Sequence, residues 1–519
     1  MQSALDRPIL YPFAFAAFPV LSLLAANAPE VDPADAVRAL ALTLAATGVI
    51  LIATRTLLRS WDKGATMTSL LLLLFFSYGH LYALSRGIPA IGIDVGRHRY
   101  LLSANLAVVG LAAAYLWRHP VAFGVTRFLN LASLLAVGLS LAQMIGGYVA
   151  GWASPSNADP TDESTIPLVA PSQAPDIYYI VLDAYTRADV LQEKFAYDNR
   201  PFLDALESMG FVIADESRSN YAVTRLSIPS ALNMGYLDSL GPPLNPRSKD
   251  AAWLDRAGRY SRVRRSLEEA GYKIVAFESA FGITDWVDSD LYLTRSPLSL
   301  SQARAFGRIN AFETLLIQTS LGRLVLDGRT KINALLRTEI RGPHEQHRER
   351  ISFVLDNLAR TPELSGPKFV FVHLMSPHPP YAFTADGGVA PDPAFFTLAG
   401  EQEPVHGLTW VEGYRNQVAF LNSRLLVAIA TILQESETEP IIVLQGDHGA
   451  LEVSPDDRMK ILNAYYLPGR ASATVYDGIS PVNTFRLIFS EYFGAPLGLL
   501  EDRSYFSPLE QPFLLSPMP

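Results

Sequence analysis

Five apolar stretches crowd the first third of this 519-residue chain, and they constrain everything that follows. Ile9 to Pro29 carries no charge, and Ala39 to Thr54 lies between Arg38 and Arg55. Ala65 to Ser85 follows Lys63, Tyr100 to Trp117 lies between Arg99 and Arg118, and Phe128 to Asn157 precedes Asp159. Crossing a bilayer as a helix takes roughly 20 apolar residues. The second stretch is therefore short, and its flanking arginines must reach out to the interface. The reading is five spans, with four as the alternative. A cleaved signal peptide fits poorly, because acidic Glu30, Asp32 and Asp35 and then further spans follow the first stretch. His80, inside the third stretch, reads as a histidine hydrogen-bonded between helices.

Loop charges orient the spans. Arg55, Arg59 and Lys63 follow the second and Arg118 and Arg127 follow the fourth, whereas the loop after the first and the tail after the fifth are acidic. Arg86, Arg97 and Arg99 point the other way. The balance sets the amino terminus in the cytoplasm and, with an odd number of spans, everything after residue 155 outside. A transporter is disfavoured, since paired intramembrane charges and broken helices are lacking.

Residues 1–153 thus read as a membrane domain and 154–174, rich in Pro, Ser, Asp and Thr, as a linker. Residues 175–519 have the composition of one large globular domain. There, Asp176 to Leu182 is a continuous apolar run, Lys273 to Phe277 follows a helical stretch Ser261 to Ala270 closed by Gly271, Lys368 to Leu374 follows a helix from His347 to Leu358, and Ile441 to Leu444 follows one from Gly413 to Leu433. Apolar strands alternating with helices predict an α/β fold, a mostly parallel central sheet covered by helices on both faces. There is no internal repeat and no nucleotide-type glycine loop. The net charge of -9 argues against a nucleic-acid partner. The absence of cysteine removes disulfides, thiolate ligands and cysteine nucleophiles.

Three apolar runs lead into chemistry-bearing residues: Asp183 after the first, His378 shortly after the third, and Asp447 with His448 after the fourth. In a parallel sheet these ends share one edge. Two carboxylates and an imidazole with an open position suit one divalent ion, zinc or manganese. Each residue taken singly is better explained by capping or surface exposure; their convergence on strand ends is what points to a site. Asn220 to Asn233 offers Thr224, Ser227 and Ser230 ahead of a helix whose first N–H groups would hold an anion. Helix capping accounts equally for Ser227 and Ser230, because Pro229 sits where a first helical residue would.

Val181-Leu182-Asp183 with Arg187-Ala188-Asp189, then Thr224-x-x-Ser227, then Phe371-Val372-His373 with Pro377-His378-Pro379-Pro380-Tyr381, then Gly446-Asp447-His448-Gly449, in that order, resemble the sulfatase-like branch of the alkaline phosphatase superfamily. The membrane anchor ahead of them resembles lipoteichoic acid synthases and lipid A phosphoethanolamine transferases of bacterial envelopes. The resemblance implies Asp183, Asp447 and His448 as metal ligands, and Thr224 as a nucleophile whose oxygen also touches the metal. It implies that His378 contacts the transferred group or assists the leaving group. The envelope transferases carry glutamate where this chain has Asp183. Ser227-Ile228-Pro229-Ser230 also matches the serine form of the sulfatase motif, which continues with arginine where this chain has Ala231, so Thr224 is preferred over Ser227. Ser227, Arg458, Lys460 and Arg486 are candidates for holding an anionic substrate, with solvated or internally paired charges as the alternative for the three cations.

The implied function is a metal-dependent phospho-group transferase acting through a phospho-threonine on lipid or envelope-glycan substrates. It would sit in the bacterial inner membrane with its catalytic domain on the periplasmic or extracellular side. A membrane-anchored sulfatase or phosphodiesterase and a catalytically idle scaffold are the alternatives.

Overall fold

The computed structural model describes residues 9–27, 33–85, 89–90, 93–94, 98–153, 165–171, 173–246, 252–295, 311–327, 343–390, 409–508 and 511–519. Of the expected linker, residues 154–164 and 172 lie outside the described residues, as do Arg86 and Arg97 of the loop-charge argument. The chain divides into two compact units, Met1–Ala150 with Leu298–Pro343, and Gly151–Pro297 with His344–Pro519. Leu298–Pro343, which the sequence reading includes in the globular domain, thus groups with the helical unit.

In the helical unit the five apolar stretches form α1 (Tyr11–Ala26), α2 (Pro33–Leu58), α3 (Trp61–Ser85), α4 (His98–Arg118) and α5 (Phe123–Ala153). The lengths reverse one expectation. α2 runs for 26 residues because Arg38 and Arg55 are carried within the helix, while α1, at 16, is the short one. α2 to α5 are each long and apolar enough to cross a membrane. Their outward faces expose Leu42, Val49, Leu106, Leu111 and Leu135, where a water-soluble bundle would set charges.

The helices are held together by the contacts that lipid permits, small residues and buried hydroxyls. Thr54 Oγ1 lies 2.9 Å from Thr68 Oγ1, and a Cβ on Gly64 would come within 2.7 Å of Arg55 N. The orphan N–H groups at the start of α1 donate to Asn130 Oδ1, at 3.1 and 2.9 Å. Helix Ala311–Thr319 packs on α3 at Gly79, where a Cβ would stand 2.3 Å from Gln318 O. Its Glu313 accepts from Arg38 Nε at 2.6 Å. His80, expected between helices, is exposed on α3.

The second unit is built on a seven-stranded sheet: β1 (Ile177–Leu182), β2 (Val212–Ile213), β3 (Lys273–Phe277), β4 (Leu291–Leu293), β5 (Lys368–Leu374), β6 (Ile441–Gly446) and β7 (Asn463–Tyr466). Their spatial order is β2-β7-β6-β1-β5-β3-β4. The five strands from β6 to β4 are parallel, and β7 and β2 add an antiparallel edge. The apolar run of β1 is explained by burial on both faces. Tyr178, Ile180 and Leu182 enter one core with Val354, Leu358, Leu421 and Leu425. Ile177, Tyr179 and Val181 enter the other with Ile228, Leu267, Phe485 and Phe489.

Two helices matter most below: α6 (Thr224–Asn233) and α7 (Trp410–Glu435). α7 also has the length and apolarity of a span, yet Tyr414, Val418, Leu421, Leu425 and Ile429 bury its stripe in the first core. A capping box, Thr409 with Glu412, starts it. Register then brings the site together, since Leu182 pairs with Gly446 on one side and with Leu374 on the other. The residues that follow, Asp183, Asp447 and the loop to His378, leave the sheet at one edge.

Candidate active site

Asp447 and His448 are displayed by a turn that tolerates no side chain at either end. A Cβ on Gly446 would lie 2.4 Å from Tyr185 O, and one on Gly449 within about 3 Å of the carbonyls of Asp457, Arg458 and Lys460. The glycines of Gly446-Asp-His-Gly449 are therefore demanded by close backbone approach.

Asp183, Asp447 and His448 are all buried, and one ligand atom from each lies within 4.8 Å of the others. Asp447 Oδ1 accepts from Ala184 N at 3.0 Å and His448 N at 2.9 Å. His448 Nδ1 lies 2.8 Å from Gly449 O. A carbonyl only accepts, so Nδ1 carries the proton and Nε2 presents a lone pair to the cluster. Nε2 is 3.6 Å from both Asp183 Oδ1 and Asp447 Oδ2. Those two carboxylate oxygens are buried and have no hydrogen-bond partner. Buried charge without a partner is costly. Two orphaned oxygens and an aimed imidazole lone pair are a donor set that fits a divalent cation.

Burial sets the protonation of the cluster. It pushes the His448 imidazole below its ordinary value, with Asp447 and Asp183 opposing, so the ring is neutral as a ligand must be. Burial alone would raise the Asp183 carboxyl, but His378, His373 and His448 outweigh it and hold the group below the usual carboxylate range.

Thr224 is the first residue of α6, and its Oγ1 lies 3.2 Å from His448 Nε2. The helix begins five residues before Pro229, which is therefore interior and not the first helical residue. Ser227 is one turn further on, buried, with its Oγ donating to Asp447 O at 2.7 Å. Ser219 Oγ lies 2.5 Å from the same carbonyl. Ser227 thus braces the ligand turn, while Thr224 faces the cluster. His378 donates its backbone N–H to Asp183 O at 3.0 Å, its Nδ1 lies 2.7 Å from Pro379 O, and its ring centroid is 6.5 Å from that of His448.

The three candidate cations differ. Arg486 donates Nε to Gly498 O at 2.6 Å and a terminal nitrogen to Met234 O at 2.9 Å, so it serves the fold. Lys460 is engaged by Asp457 Oδ1 at 2.8 Å and Asp456 Oδ2 at 3.1 Å, the internally paired alternative. Arg458 is only 9% exposed, and its Nε is buried without a partner. Burial lowers its guanidinium from the ordinary value, and Asp447, Asp183 and Glu452 oppose that. Such a group is placed for an oxyanion. His406, which reads in sequence as a loop residue and as the nearest spare ligand for a second metal, lies outside the described residues.

His373 received no role from sequence, although a histidine in an otherwise apolar strand was a visible signal. Its Nε2 lies 3.4 Å from Asp183 Oδ2 and its Nδ1 2.9 Å from Thr284 Oγ1.

No protein-family model matches the chain, and no curated protein matches it. Solved structures do. The C-terminal periplasmic domain of EcEptC from Escherichia coli is 14% identical, covering 66% of this chain and 94% of that one at a TM-score of 0.39. The integral membrane lipooligosaccharide phosphoethanolamine transferase A from Neisseria meningitidis is 11% identical over 92% of this chain and 95% of its own, TM-score 0.39. Lipoteichoic acid synthase LtaP from Listeria monocytogenes is 12% identical over 58% and 69%, TM-score 0.35. Likeness at this level decides neither activity nor substrate, which have to be read from the side chains.

Proposed function

We propose that this chain is a membrane-anchored, sulfatase-like phospho-group transferase. It takes a phosphorylated headgroup from a lipid donor to a lipid or envelope-glycan acceptor, through a phospho-threonine on Thr224. The observation that carries the reading is the 3.2 Å approach of Thr224 Oγ1 to His448 Nε2, beside two orphaned carboxylate oxygens. Asp183, Asp447, His448 and the Thr224 oxygen would hold one divalent ion, zinc or manganese. When bound, that ion supplies Lewis acidity, easing loss of the hydroxyl proton and offsetting negative charge on the phosphoryl oxygens.

The residues of the chain do the rest. Thr224 Oγ gives its proton to solvent and attacks the phosphorus of a phosphodiester in line. The P–O bond to the lipid breaks, and the leaving oxygen takes a proton from the His378 ring. An acceptor hydroxyl then attacks the same phosphorus, passing its proton back to His378, and displaces Thr224 Oγ, which takes up a proton from solvent. The first N–H groups of α6 and the Arg458 guanidinium hold the non-bridging oxygens through both steps. Lys460 has no part in this scheme, and Ser227 acts by bracing Asp447.

The membrane helices supply the argument for a lipid donor, since holding the site near the bilayer raises the local concentration of lipid. The arginine-rich α2–α3 and α4–α5 turns favour the cytoplasmic side. With those turns inside, α5 leads outward and the catalytic unit is periplasmic or extracellular, on a bacterial inner membrane. A formylglycine sulfatase is disfavoured because the Ser227 hydroxyl is already bonded within the fold. The test is the full-length Thr224→Ala protein in lipid vesicles. Headgroup transfer is lost even when excess zinc keeps the three remaining ligands loaded, and retained transfer sinks the mechanism.

A further inference from the structure

Asp183 is followed by a residue in an unfavourable conformation. Ala184 has φ +62, the left-handed region that a side chain bearing Cβ adopts at a cost. The conformation serves the cluster, because it lets Ala184 N donate to Asp447 Oδ1 at 3.0 Å. Asp183 itself is held on both sides, its N–H donating to Leu374 O at 2.9 Å and its carbonyl accepting from His378 N at 3.0 Å. What holds Ala184 comes from elsewhere in the sequence. The Tyr414 hydroxyl, on α7, donates to Ala184 O at 2.7 Å and accepts from Thr186 N at 3.0 Å. Tyr414 is 1% exposed, its ring 4.3 Å from that of Phe195 between centroids. Its hydroxyl is therefore fixed by packing. Gly413 beside it leaves room for Tyr381, which a Cβ would meet at 2.2 Å.

We propose that Tyr414 is a positioning residue for the metal site. By bridging the Ala184 carbonyl and the Thr186 N–H it keeps the turn left-handed, and so aims the Asp183 carboxylate and anchors Asp447 Oδ1. The inference rests on the metal-site reading above, and the experiment separates the two.

Zinc affinity is measured by chelator competition on the full-length protein in detergent, alongside thermal unfolding of the metal-free form. Tyr414→Phe removes only the hydroxyl. It should weaken zinc binding about tenfold or more, the usual effect of losing a group that orients a ligand. Ala184→Gly removes the conformational cost at the turn. Alone it should leave zinc affinity within about threefold, and combined with Tyr414→Phe it should recover most of the loss. Tyr185→Phe is the control for lost packing, since it deletes a comparable buried hydroxyl bonded to Asn422 Oδ1 at 2.6 Å. It should lower the unfolding temperature without changing zinc affinity. The proposal is overturned if Tyr414→Phe binds zinc as wild type does, if Tyr185→Phe weakens binding equally, or if glycine at 184 fails to restore it. Failure of the unaltered protein to bind zinc would instead remove the metal-site reading beneath it.

Discussion

Replacing Asp447 by asparagine separates a metal ligand from a structural cap, because the two roles predict opposite changes in stability. In the metal-free protein Asp183 and Asp447 are carboxylates with ligand oxygens no more than 4.8 Å apart. Their repulsion at an effective dielectric near 20 is about 3.5 kcal/mol. Asp447→Asn abolishes it while keeping an acceptor for Ala184 N and His448 N. Those two bonds become neutral, each weaker by about 1 kcal/mol. The metal-free variant should therefore be more stable than metal-free wild type by up to about 1.5 kcal/mol, or roughly 3–6 °C, the lost attraction between Asp447 and Arg458 taking back part of the gain. With zinc the order reverses. Ligand at a thousandfold its Kd stabilises wild type by about 4 kcal/mol, and the variant gains little. Thermal unfolding of the full-length protein in detergent, with excess chelator and then with excess zinc, reads both halves. A variant destabilised by several kcal/mol without metal, yet still protected by zinc as wild type is, would refute the reasoning and make Asp447 a cap.

Three further outcomes follow from the same geometry. Gly446→Ala forces a Cβ to 2.4 Å from Tyr185 O, so it should cost about 1–3 kcal/mol in a melt and weaken zinc binding through the displaced turn. Arg458→Ala should cut kcat/KM for a phosphodiester donor by about 10- to 100-fold with zinc affinity little changed, measured by steady-state kinetics and chelator competition; Lys460→Ala should leave both nearly unchanged. Metal-free stability should fall on acidification. Burial holds the His448 imidazole below its ordinary 6.5, so the unfolded chain takes up that proton first. The contribution is complete above pH 6.5 and lost below it. Asp183, held below the ordinary 3.8, adds a further loss at lower pH, and chelator-treated melts across pH 3–8 follow both.

The core of the second unit was legible because burial on both faces leaves a plain mark. β1, β3, β5 and β6 all lie in continuous apolar runs, and three of these lead to Asp183, His378 and Asp447, whose convergence on one sheet edge marks the site. Ser261 and Gly271 bracket their helix as their residue types suggest, whereas Gly413, read as the start of α7, lies inside it. The short strands β2 and β4 were not legible individually, since two or three residues carry no period. Ala311–Thr319 was read with the globular composition around it, and only the packing at Gly79 assigns it to the helical unit. Span lengths were misjudged where charge was taken as a helix boundary, since Arg38 is carried inside α2 and paired with Glu313. At the site, residues adjacent to strand ends were found, whereas Tyr414, 230 residues from the carbonyl it holds, has no local signal. Lys460 and Arg458 look alike in sequence, and only their partners tell them apart.

The central claim is that Thr224 becomes covalently phosphorylated during turnover. Full-length protein in vesicles containing a phosphoethanolamine-bearing lipid, loaded with zinc and given no acceptor, is digested and its peptides weighed. A phosphoethanolamine adduct on Thr224, absent from Thr224→Ala and discharged when an acceptor lipid is added, is the predicted result. An unmodified Thr224 in protein that nonetheless transfers the headgroup, or an adduct on Ser227, would contradict the account.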